Sequence, residues 1–179
     1  MTRVGLVWAQ SADGWIGRDG TMPWHVPEDL AHFRALTGRS PVLMGRSTWE
    51  SLPERYRPLP RRRNVVLSRR PGLTLPGAEV ARSVEGALAL LAAEPEIWVI
   101  GGAAVYEATL PVAEVVERTD LDLEVAGDTP APVLGAPWRP VHRDPAEPGT
   151  WHLSTSGVRY RFVRLEPVRT SPAAPEVRR

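Results

Sequence analysis

The chain has 179 residues, a formal net charge of +1, and neither cysteine nor lysine. This length suits one domain with a sizeable core, and the near-neutral charge gives no general attraction to nucleic acid or membrane surfaces. The absence of cysteine and lysine excludes disulfides, thiol chemistry and lysine Schiff bases. The histidines lack metal-ligand spacing, and the sequence shows neither a membrane span nor a signal peptide. We therefore expect a cytoplasmic protein without a metal.

The first half of the chain alternates apolar runs with helical segments. Residues 3–10 are predicted to form a buried strand, and the glycine-rich residues 11–24 a long loop. A helix is predicted to begin at Pro27, because proline suits the first helical position. Further strands are predicted over 41–45, 61–68 and 78–81. Helices should begin near Arg46 and after Ser83, which is a good N-cap residue.

The second half changes from a parallel to an antiparallel pattern. A strand over 96–102 leads into a helix over 103–110. Over 115–125, by contrast, apolar and polar residues alternate, and no helix is predicted after them. Residues 150–165 read as two alternating runs around the turn sequence TSG, which indicates a hairpin. We therefore expect one α/β domain over residues 1–166. Its mainly parallel central sheet of about eight strands should carry an antiparallel C-terminal hairpin, flanked by about four helices. Residues 167–179 are proline-rich and predicted to be disordered.

One of two neighbouring acids in the first helix lies in line with apolar residues. At about 100° per residue, Asp29 shares a narrow stripe with Phe33 and Leu36, while Glu28 and His32 point elsewhere. Acids in a first helical turn complement the helix dipole, which accounts for Glu28. It accounts for Asp29 only if that carboxylate is solvated, so the stripe indicates that Asp29 has another partner.

Two predicted strands end in glycine and lead directly into a helix, at Gly45 and at Gly101–Gly102. In an α/β sheet, ligands bind beyond the carboxyl ends of the strands, where a helix N-terminus can accept phosphate. Two such ends facing one crevice could hold a pyrophosphate, although a tight turn is the commoner reason for glycine at either one. Neither G-x-G-x-x-G nor a Walker lysine is present, which excludes a standard Rossmann or P-loop site.

Arginines near one further strand are candidates for binding anions. Ser68 and Arg69, at the end of the strand over 61–68, could hold a phosphate, and a solvated charge cluster is the alternative. Arg62 is the candidate for clamping a substrate carboxylate. Arg61 and Arg63 read as surface residues.

Four segments together resemble the successive signatures of the dihydrofolate reductase family, in the family's order and spacing: GLVWAQSADGWIGRDGTMPWHVPEDLAHFR, PVLMGRSTWESLP, LPRRRNVVLSR and EIWVIGGAAVYEATLP. The resemblance covers about residues 4–165. It implies hydride transfer from NADPH to C6 of the dihydrofolate pterin, with protonation at N5. It also implies a partner for Asp29, because the acid at this position of the family binds the pterin through N3 and the 2-amino group.

The resemblance implies three groups of site residues. Asp29, Trp24 and Thr119 would serve catalysis, and Thr119 would hydrogen-bond Asp29. The substrate pocket would be formed by Trp8, Ala9, Leu30, Phe33, Arg34, Leu52, Arg62, Ile100 and Tyr106. The cofactor site would be formed by Ala9, Ile16, Gly20, Gly45, Arg46, Ser47, Thr48, Leu67, Ser68, Arg69, Gly101, Gly102, Ala103, Ala104, Val105 and Tyr106. A cis peptide would join Gly101 to Gly102, and residues 12–24, with Met22, would form a mobile lid.

The implied partners are dihydrofolate and NADPH, and antifolates such as trimethoprim or methotrexate are expected ligands. We expect a monomer.

The sequence departs from the family pattern at Arg61, where many members have glycine. It also departs at Ala103, which replaces a third glycine and fits if its φ is negative. One alternative is a different pyrimidine or pterin reductase of the same fold, such as the riboflavin-pathway enzyme. A second alternative is a non-catalytic nucleotide-binding module, which would not need a buried Asp29 in a lidded pocket.

Overall fold

A computed structural model describes residues 1–168, and its elements follow the predicted order. The helices are α1 (Pro27–Thr37), α2 (Arg46–Ser51), α3 (Val84–Leu90) and α4 (Ala103–Thr109). The strands are β1 (Arg3–Ser11), β2 (Trp15–Gly17), β3 (Val42–Gly45), β4 (Asn64–Leu67), β5 (Glu79–Ala81), β6 (Glu96–Gly101), β7 (Val115–Leu121), β8 (Thr129–Pro130), β9 (Trp138–Asp144), β10 (His152–Leu153) and β11 (Arg159–Pro167). The sequence pattern does not predict β2, β8 or β9. The first two are very short, and β9 is exposed at nearly every residue, so it lacks apolar alternation.

Nine strands form one sheet, in which β10, β11, β7, β1, β6, β3, β4 and β5 follow one another and β9 also pairs with β11. Every pairing from β7 to β5 is parallel, whereas β11 runs antiparallel to β7, β9 and β10. This arrangement confirms the mainly parallel sheet with an antiparallel C-terminal part and four helices. No helix in residues 1–168 has the length and apolarity that crossing a membrane requires.

Local sequence signals account for the ends of two helices. Pro27 occupies the first position of α1, and the helix ends at Gly38, whose φ of 47° lies in the left-handed region. Ser83 caps α3, because its side chain accepts a hydrogen bond from the Gly86 backbone N at 3.0 Å. Both observations confirm the predicted boundaries.

Gly5, in β1, leaves room for the buried Trp98 of the neighbouring strand β6. The two residues are directly paired, and a Cβ on Gly5 would lie 2.5 Å from the indole ring. We expect Gly5→Ala to lower the free energy of unfolding by about 1–3 kcal/mol, because the buried indole has no space to move into. Urea unfolding checks this value. Gly135→Ala is the matched control, since a Cβ there comes no closer than 3.8 Å to its nearest neighbour, and an equal loss in both variants would contradict the steric argument.

The parallel register brings several strand ends to one edge of the sheet. Gly45, at the end of β3, pairs with Leu67 at the end of β4, and Met44 pairs with Gly101 at the end of β6. Leu67 also pairs with Ala81 at the end of β5. The β3–α2 and β6–α4 turns therefore face one crevice, as the glycine pattern predicts.

Of the two arginines before β4 that are expected to be surface residues, Arg61 is exposed, whereas Arg63 has specific partners. The Arg63 guanidinium binds Glu79 at 2.9 Å and Glu94 at 2.8 Å, so it joins β4 to β5 and to the segment after α3. Arg61 has a φ of 62°, in the left-handed region that favours glycine. The chain therefore forms the glycine-type turn with an arginine in it.

The C-terminal end of the fold lies later than the composition predicts. β11 continues to Pro167, which pairs with Trp138 of β9, and the Val168 backbone N donates to the Pro137 carbonyl. Including Pro167 in a disordered tail is therefore wrong, because strand pairing supplies contacts that a proline-rich composition does not reveal. The rest of that prediction concerns residues 169–179, which lie outside the described residues.

Candidate active site

The Asp29 side chain, in the first turn of α1, faces β7. Thr119 Oγ1 donates a hydrogen bond to Asp29 Oδ1 at 2.6 Å, which confirms the expected contact. Burial raises the pKa of Asp29, and the Thr119 hydrogen bond and the charge of His32 act in the opposite direction. Within residues 1–168, Asp29 has no ion pair. The carboxylate is therefore desolvated and held in one orientation by Thr119.

Apolar residues surround Asp29 as the helical stripe predicts. Phe33 and Leu36 pack on the cluster formed by Val7, Val42, Met44, Trp49, Val66, Trp98 and Val115, and Leu52 and Ile100 pack on that same cluster. Ala9 belongs to a separate cluster that Trp24 partly covers, while Leu30 is 39% exposed. The structure therefore groups Phe33, Leu52 and Ile100 against one apolar cluster and Ala9 with Trp24 in another.

Trp8 and Arg34 lie apart from these two groups. Successive residues of a strand point to opposite faces, so Trp8 points away from the face that Val7 and Ala9 share. The Trp8 ring is 5% exposed and packs on Tyr106 at a centroid distance of 5.3 Å. Arg34 is exposed on α1. The substrate contacts that the resemblance implies for Trp8 and Arg34 stay predictions.

Tyr106, in α4, connects the crevice to β1. Its hydroxyl donates to the Val7 carbonyl at 2.6 Å, and its side chain is almost fully buried. Burial, followed by the charge of Asp29, raises the pKa of Tyr106. The tyrosine therefore remains a neutral donor that links the two sides of the site.

The glycine turns after β3 and β6 approach each other closely. Gly101 and Gly102 are joined by the expected cis peptide. A Cβ on Gly45 would lie 3.0 Å from Val105 Cγ2, and a Cβ on Gly101 would lie 3.3 Å from Thr48 Oγ1. Ala103 fits without strain, because its φ is not positive. The absence of side chains on these glycines thus lets the two turns pack closely against each other.

Charged and hydroxyl side chains continue along this edge. Arg46 and Ser47 are exposed at the start of α2, and Arg46 forms an ion pair with Glu50 at 3.0 Å. Ser68 and Arg69 follow β4, and Arg69 is exposed without an ion pair in residues 1–168. Arg82, directly after β5, is a further exposed cation at this edge that the sequence analysis missed. Only the register of β4 and β5 reveals it.

Arg62 is held against α1 and lacks a carboxylate partner within residues 1–168. Arg62 is half-buried, its Nη1 donates to Thr37 Oγ1 of α1, and its Nε donates to the Pro60 carbonyl at 3.1 Å. Burial, with a contribution from Arg61, lowers the pKa of Arg62. It has no carboxylate partner in residues 1–168, whereas Arg63 has two. This contrast favours Arg62 as the clamp for a ligand carboxylate.

The loop over residues 12–24 is held by the segment 122–131. Strand β2 within the loop pairs with β8, Arg18 donates to the Val125 carbonyl at 2.9 Å, and the Asp128 carboxylate accepts from the Asp19 backbone N at 2.8 Å. Ile16 packs against the largest core cluster, and Gly20 forms an exposed turn with a φ of 73°. The loop thus has a defined conformation here, and its mobility stays a prediction.

Replacing Asp128 by alanine is expected to loosen this loop, because the substitution removes the acceptor of the Asp19 amide. Hydrogen exchange of the Asp19 amide, measured by NMR, should become severalfold faster. The Asp19 hydrogen bond, followed by one from Thr129, holds the pKa of Asp128 below its ordinary value. The wild-type contact should therefore persist at neutral pH and be lost as the pH falls through that lowered pKa. Asp19→Asn keeps the backbone donor and serves as control, and equal exchange in both variants would contradict the prediction.

Glu28, assigned above only to the helix dipole, also has a specific partner. Its carboxylate accepts from Ser154 Oγ at 2.6 Å and from the Thr155 backbone N at 2.8 Å. These bonds, with Ser154 as the largest cause, lower the pKa of Glu28 to about 2. Glu28 therefore ties the first turn of α1 to the β10–β11 hairpin, a contact between distant parts of the chain that local sequence patterns do not show.

The comparisons with known proteins agree with this geometry. Residues 3–165 match the family model for dihydrofolate reductase. The chain is 51% identical over 165 residues to the dihydrofolate reductase of Mycobacterium tuberculosis strain H37Rv, covering 90% of this chain and 96% of that protein. It is 43% identical over 163 residues to the enzyme of Neisseria meningitidis serogroup B strain MC58, covering 91% and 97%.

A solved structure shows the same fold. Dihydrofolate reductase from Enterococcus faecalis, complexed with NADP(H) and RAB-propyl, is similar with a TM-score of 0.81 and 30% identity, covering 92% of this chain and 96% of that one. The family match over nearly the whole chain agrees with the desolvated Asp29 on α1 and the paired glycine turns. The chain is therefore an oxidoreductase that belongs to the dihydrofolate reductase family.

Proposed function

We propose that this protein reduces 7,8-dihydrofolate to 5,6,7,8-tetrahydrofolate, with NADPH as hydride donor and a proton taken up at N5 of the pterin. The product would serve one-carbon metabolism in the synthesis of thymidylate, purines and methionine. The observation that carries the proposal is Asp29, a desolvated carboxylate that within residues 1–168 has one hydrogen-bond donor, Thr119, and no ion pair. A ligand edge with two adjacent N–H donors supplies the bonds that this carboxylate lacks.

On the pterin side, Asp29 would accept hydrogen bonds from N3 and from the 2-amino group. Thr119 would keep the carboxylate in the orientation that these two parallel bonds require. Because Asp29 binds the edge of the ring away from N5, its contribution to protonation would pass through a water molecule. Trp24, at the end of the lid, would limit the access of bulk water. Phe33, Leu52 and Ile100 offer an apolar surface to the rest of the substrate.

Arg62 would bind the α-carboxylate of the substrate's glutamate. Its hydrogen bond to Thr37 fixes the guanidinium at the end of α1, and the absence of a protein carboxylate leaves its remaining donors for the ligand. A planar guanidinium suits bidentate binding of a carboxylate. Leu59, on the segment before Arg62, packs against the same cluster as Phe33, so this contact and the apolar wall lie on one part of the surface.

The edge at Gly45 and Gly101–Gly102 fits a dinucleotide, because any side chain on Gly45 would contact Val105. When bound, NADPH supplies the hydride from its nicotinamide ring. Tyr106, held by Val7, would keep the β1 backbone in place beside that ring. The residues that would contact the rest of the cofactor are Ala9, Ile16, Gly20, Arg46, Ser47, Thr48, Leu67, Ser68, Arg69, Ala103 and Ala104.

An absorbance assay tests the proposal directly. Purified protein mixed with NADPH should show loss of the NADPH absorbance only after dihydrofolate is added, and trimethoprim or methotrexate should inhibit this loss. Turnover with a ribosylated pyrimidine but not with dihydrofolate would point to the riboflavin-pathway alternative. NADPH binding without oxidation by either compound would point to a non-catalytic module, and either result would contradict the proposal.

A further inference from the structure

A polar cavity lies beside α1, outside the pocket assigned to the substrate. Its volume is about 330 Å³, and it is lined by residues from α1, β7, β9 and β11, namely His32, Glu117, His142, Asp144, Phe162 and Arg164. The proposed function uses none of these six side chains. His32 connects the cavity to Asp29, because the two residues lie one turn apart on the same helix.

The His32 ring is held between an aromatic ring and a buried acid. It stacks on Phe162 with a centroid distance of 4.0 Å and an interplanar angle of 21°. Its Nε2 lies 4.0 Å from Glu117 Oε2, and Glu117 is only 5% exposed. The other oxygen of Glu117, Oε1, accepts from Arg164 Nε. The imidazole is therefore fixed in position while one face of the cavity remains open.

A carboxylate, Glu117, and a hydroxyl, Thr119, face α1 from the same side of β7. Glu117 and Thr119 are two residues apart, so their side chains point to the same face about 7 Å apart along the strand, and Thr119 binds Asp29. Negative charges this close in a partly buried site disfavour each other. Arg164 balances Glu117, whereas Asp29 has only the helical neighbour His32 as a source of positive charge.

We propose that His32 is a positioning residue for the reaction: its imidazole, fixed by Phe162 and Glu117, places a proton-dependent positive charge beside Asp29 and keeps that carboxylate ionised for the pterin. This inference rests on the proposed function, because it takes Asp29 as the acid that binds the substrate. Histidine is the side chain whose ordinary charge change falls near neutral pH.

The other ionisable groups around His32 are accounted for by their own partners. On α1, Glu28 is tied to Ser154 and Thr155. On β9, Asp144 binds His152 at 2.8 Å, and His142 lies on the opposite, exposed wall of the cavity. His142 is therefore a suitable control, since it changes the charge of the same cavity without touching α1.

The test follows the titration of the Asp29 carboxyl carbon by NMR in the full chain without ligands, so it does not depend on activity. His32→Phe keeps a ring that can stack on Phe162 and removes the charge. We expect it to raise the titration midpoint of Asp29 by about half a pH unit or more. His32→Arg supplies a permanent charge at the same position, so the Asp29 midpoint should stay at or below the wild-type value and below that of His32→Phe. His142→Gln should leave it unchanged.

Kinetics supply a second measurement. In the pH range where Asp29 titrates, His32→Phe should raise the KM for dihydrofolate about threefold, matching a half-unit shift, while kcat at saturating substrate changes less. An unmoved Asp29 midpoint in both His32 variants would overturn the inference, as would an equal shift in His142→Gln. A wild-type chain that does not reduce dihydrofolate would instead defeat the proposed function, even where the NMR shifts appear.

Discussion

Replacing Asp29 by asparagine should lower the rate of hydride transfer to dihydrofolate at neutral pH by about 100- to 10,000-fold. Asparagine has the same shape and can still accept the Thr119 hydrogen bond, but it carries no charge and cannot help to supply a proton. NADPH binding should be unchanged, because the cofactor edge lies at the ends of β3, β4 and β6. Single-turnover measurement of NADPH oxidation, with fluorescence titration of NADPH, checks both statements.

The same substitution should stabilise the fold at neutral pH. Burial raises the pKa of Asp29, so the folded protein releases this proton less readily than the unfolded chain, and stability falls as the pH rises through that pKa. Asparagine removes the free-energy cost of burying a charged carboxylate at neutral pH. The thermal unfolding midpoint should therefore rise while the rate of hydride transfer falls. Glu28→Gln is the matched control, since it changes the neighbouring acid and should keep most of the hydride transfer. Undiminished turnover in Asp29→Asn would refute its assignment.

Arg69→Ala should reduce the preference for NADPH over NADH by about tenfold or more, because a charged hydrogen bond to the 2′-phosphate is lost. Arg46→Ala should act in the same direction but less strongly. Arg46 is already paired with Glu50 at 3.0 Å, and the phosphate must compete with that carboxylate. Both residues follow strands that pair directly, β3 and β4, so one phosphate can lie between them.

The measured quantity is the ratio of kcat/KM for the two cofactors in each variant. Arg139→Ala, in β9 at the opposite side of the sheet, removes an exposed arginine that cannot reach the cofactor edge and should leave the ratio unchanged. If neither Arg46→Ala nor Arg69→Ala narrows the ratio, the 2′-phosphate is bound elsewhere. Arg70 and Arg82 would then be the next residues to replace.

Local patterns in the sequence determined most of the fold. The apolar runs of the parallel strands are continuous because helices or loops cover both faces of the sheet, and such runs are readable without a structure. Pro27 and Ser83 mark helix starts through backbone chemistry that acts within a few residues. The stripe shared by Asp29, Phe33 and Leu36 likewise follows from helix geometry alone, so the unusual position of this carboxylate could be recognised from the sequence, while its ligand was implied only by the family resemblance.

Only the tertiary structure decided which residues meet across long separations. Strand β9 has almost no buried residue and pairs through its backbone, so its composition does not predict it. Trp8 and Ala9 are adjacent in sequence, yet the pleat of β1 turns them to opposite faces. The contact of His32 with Glu117 joins α1 to β7, across 85 residues that no local pattern relates. Such contacts depend on the packing of whole elements, because charge and burial at these positions are set by distant neighbours.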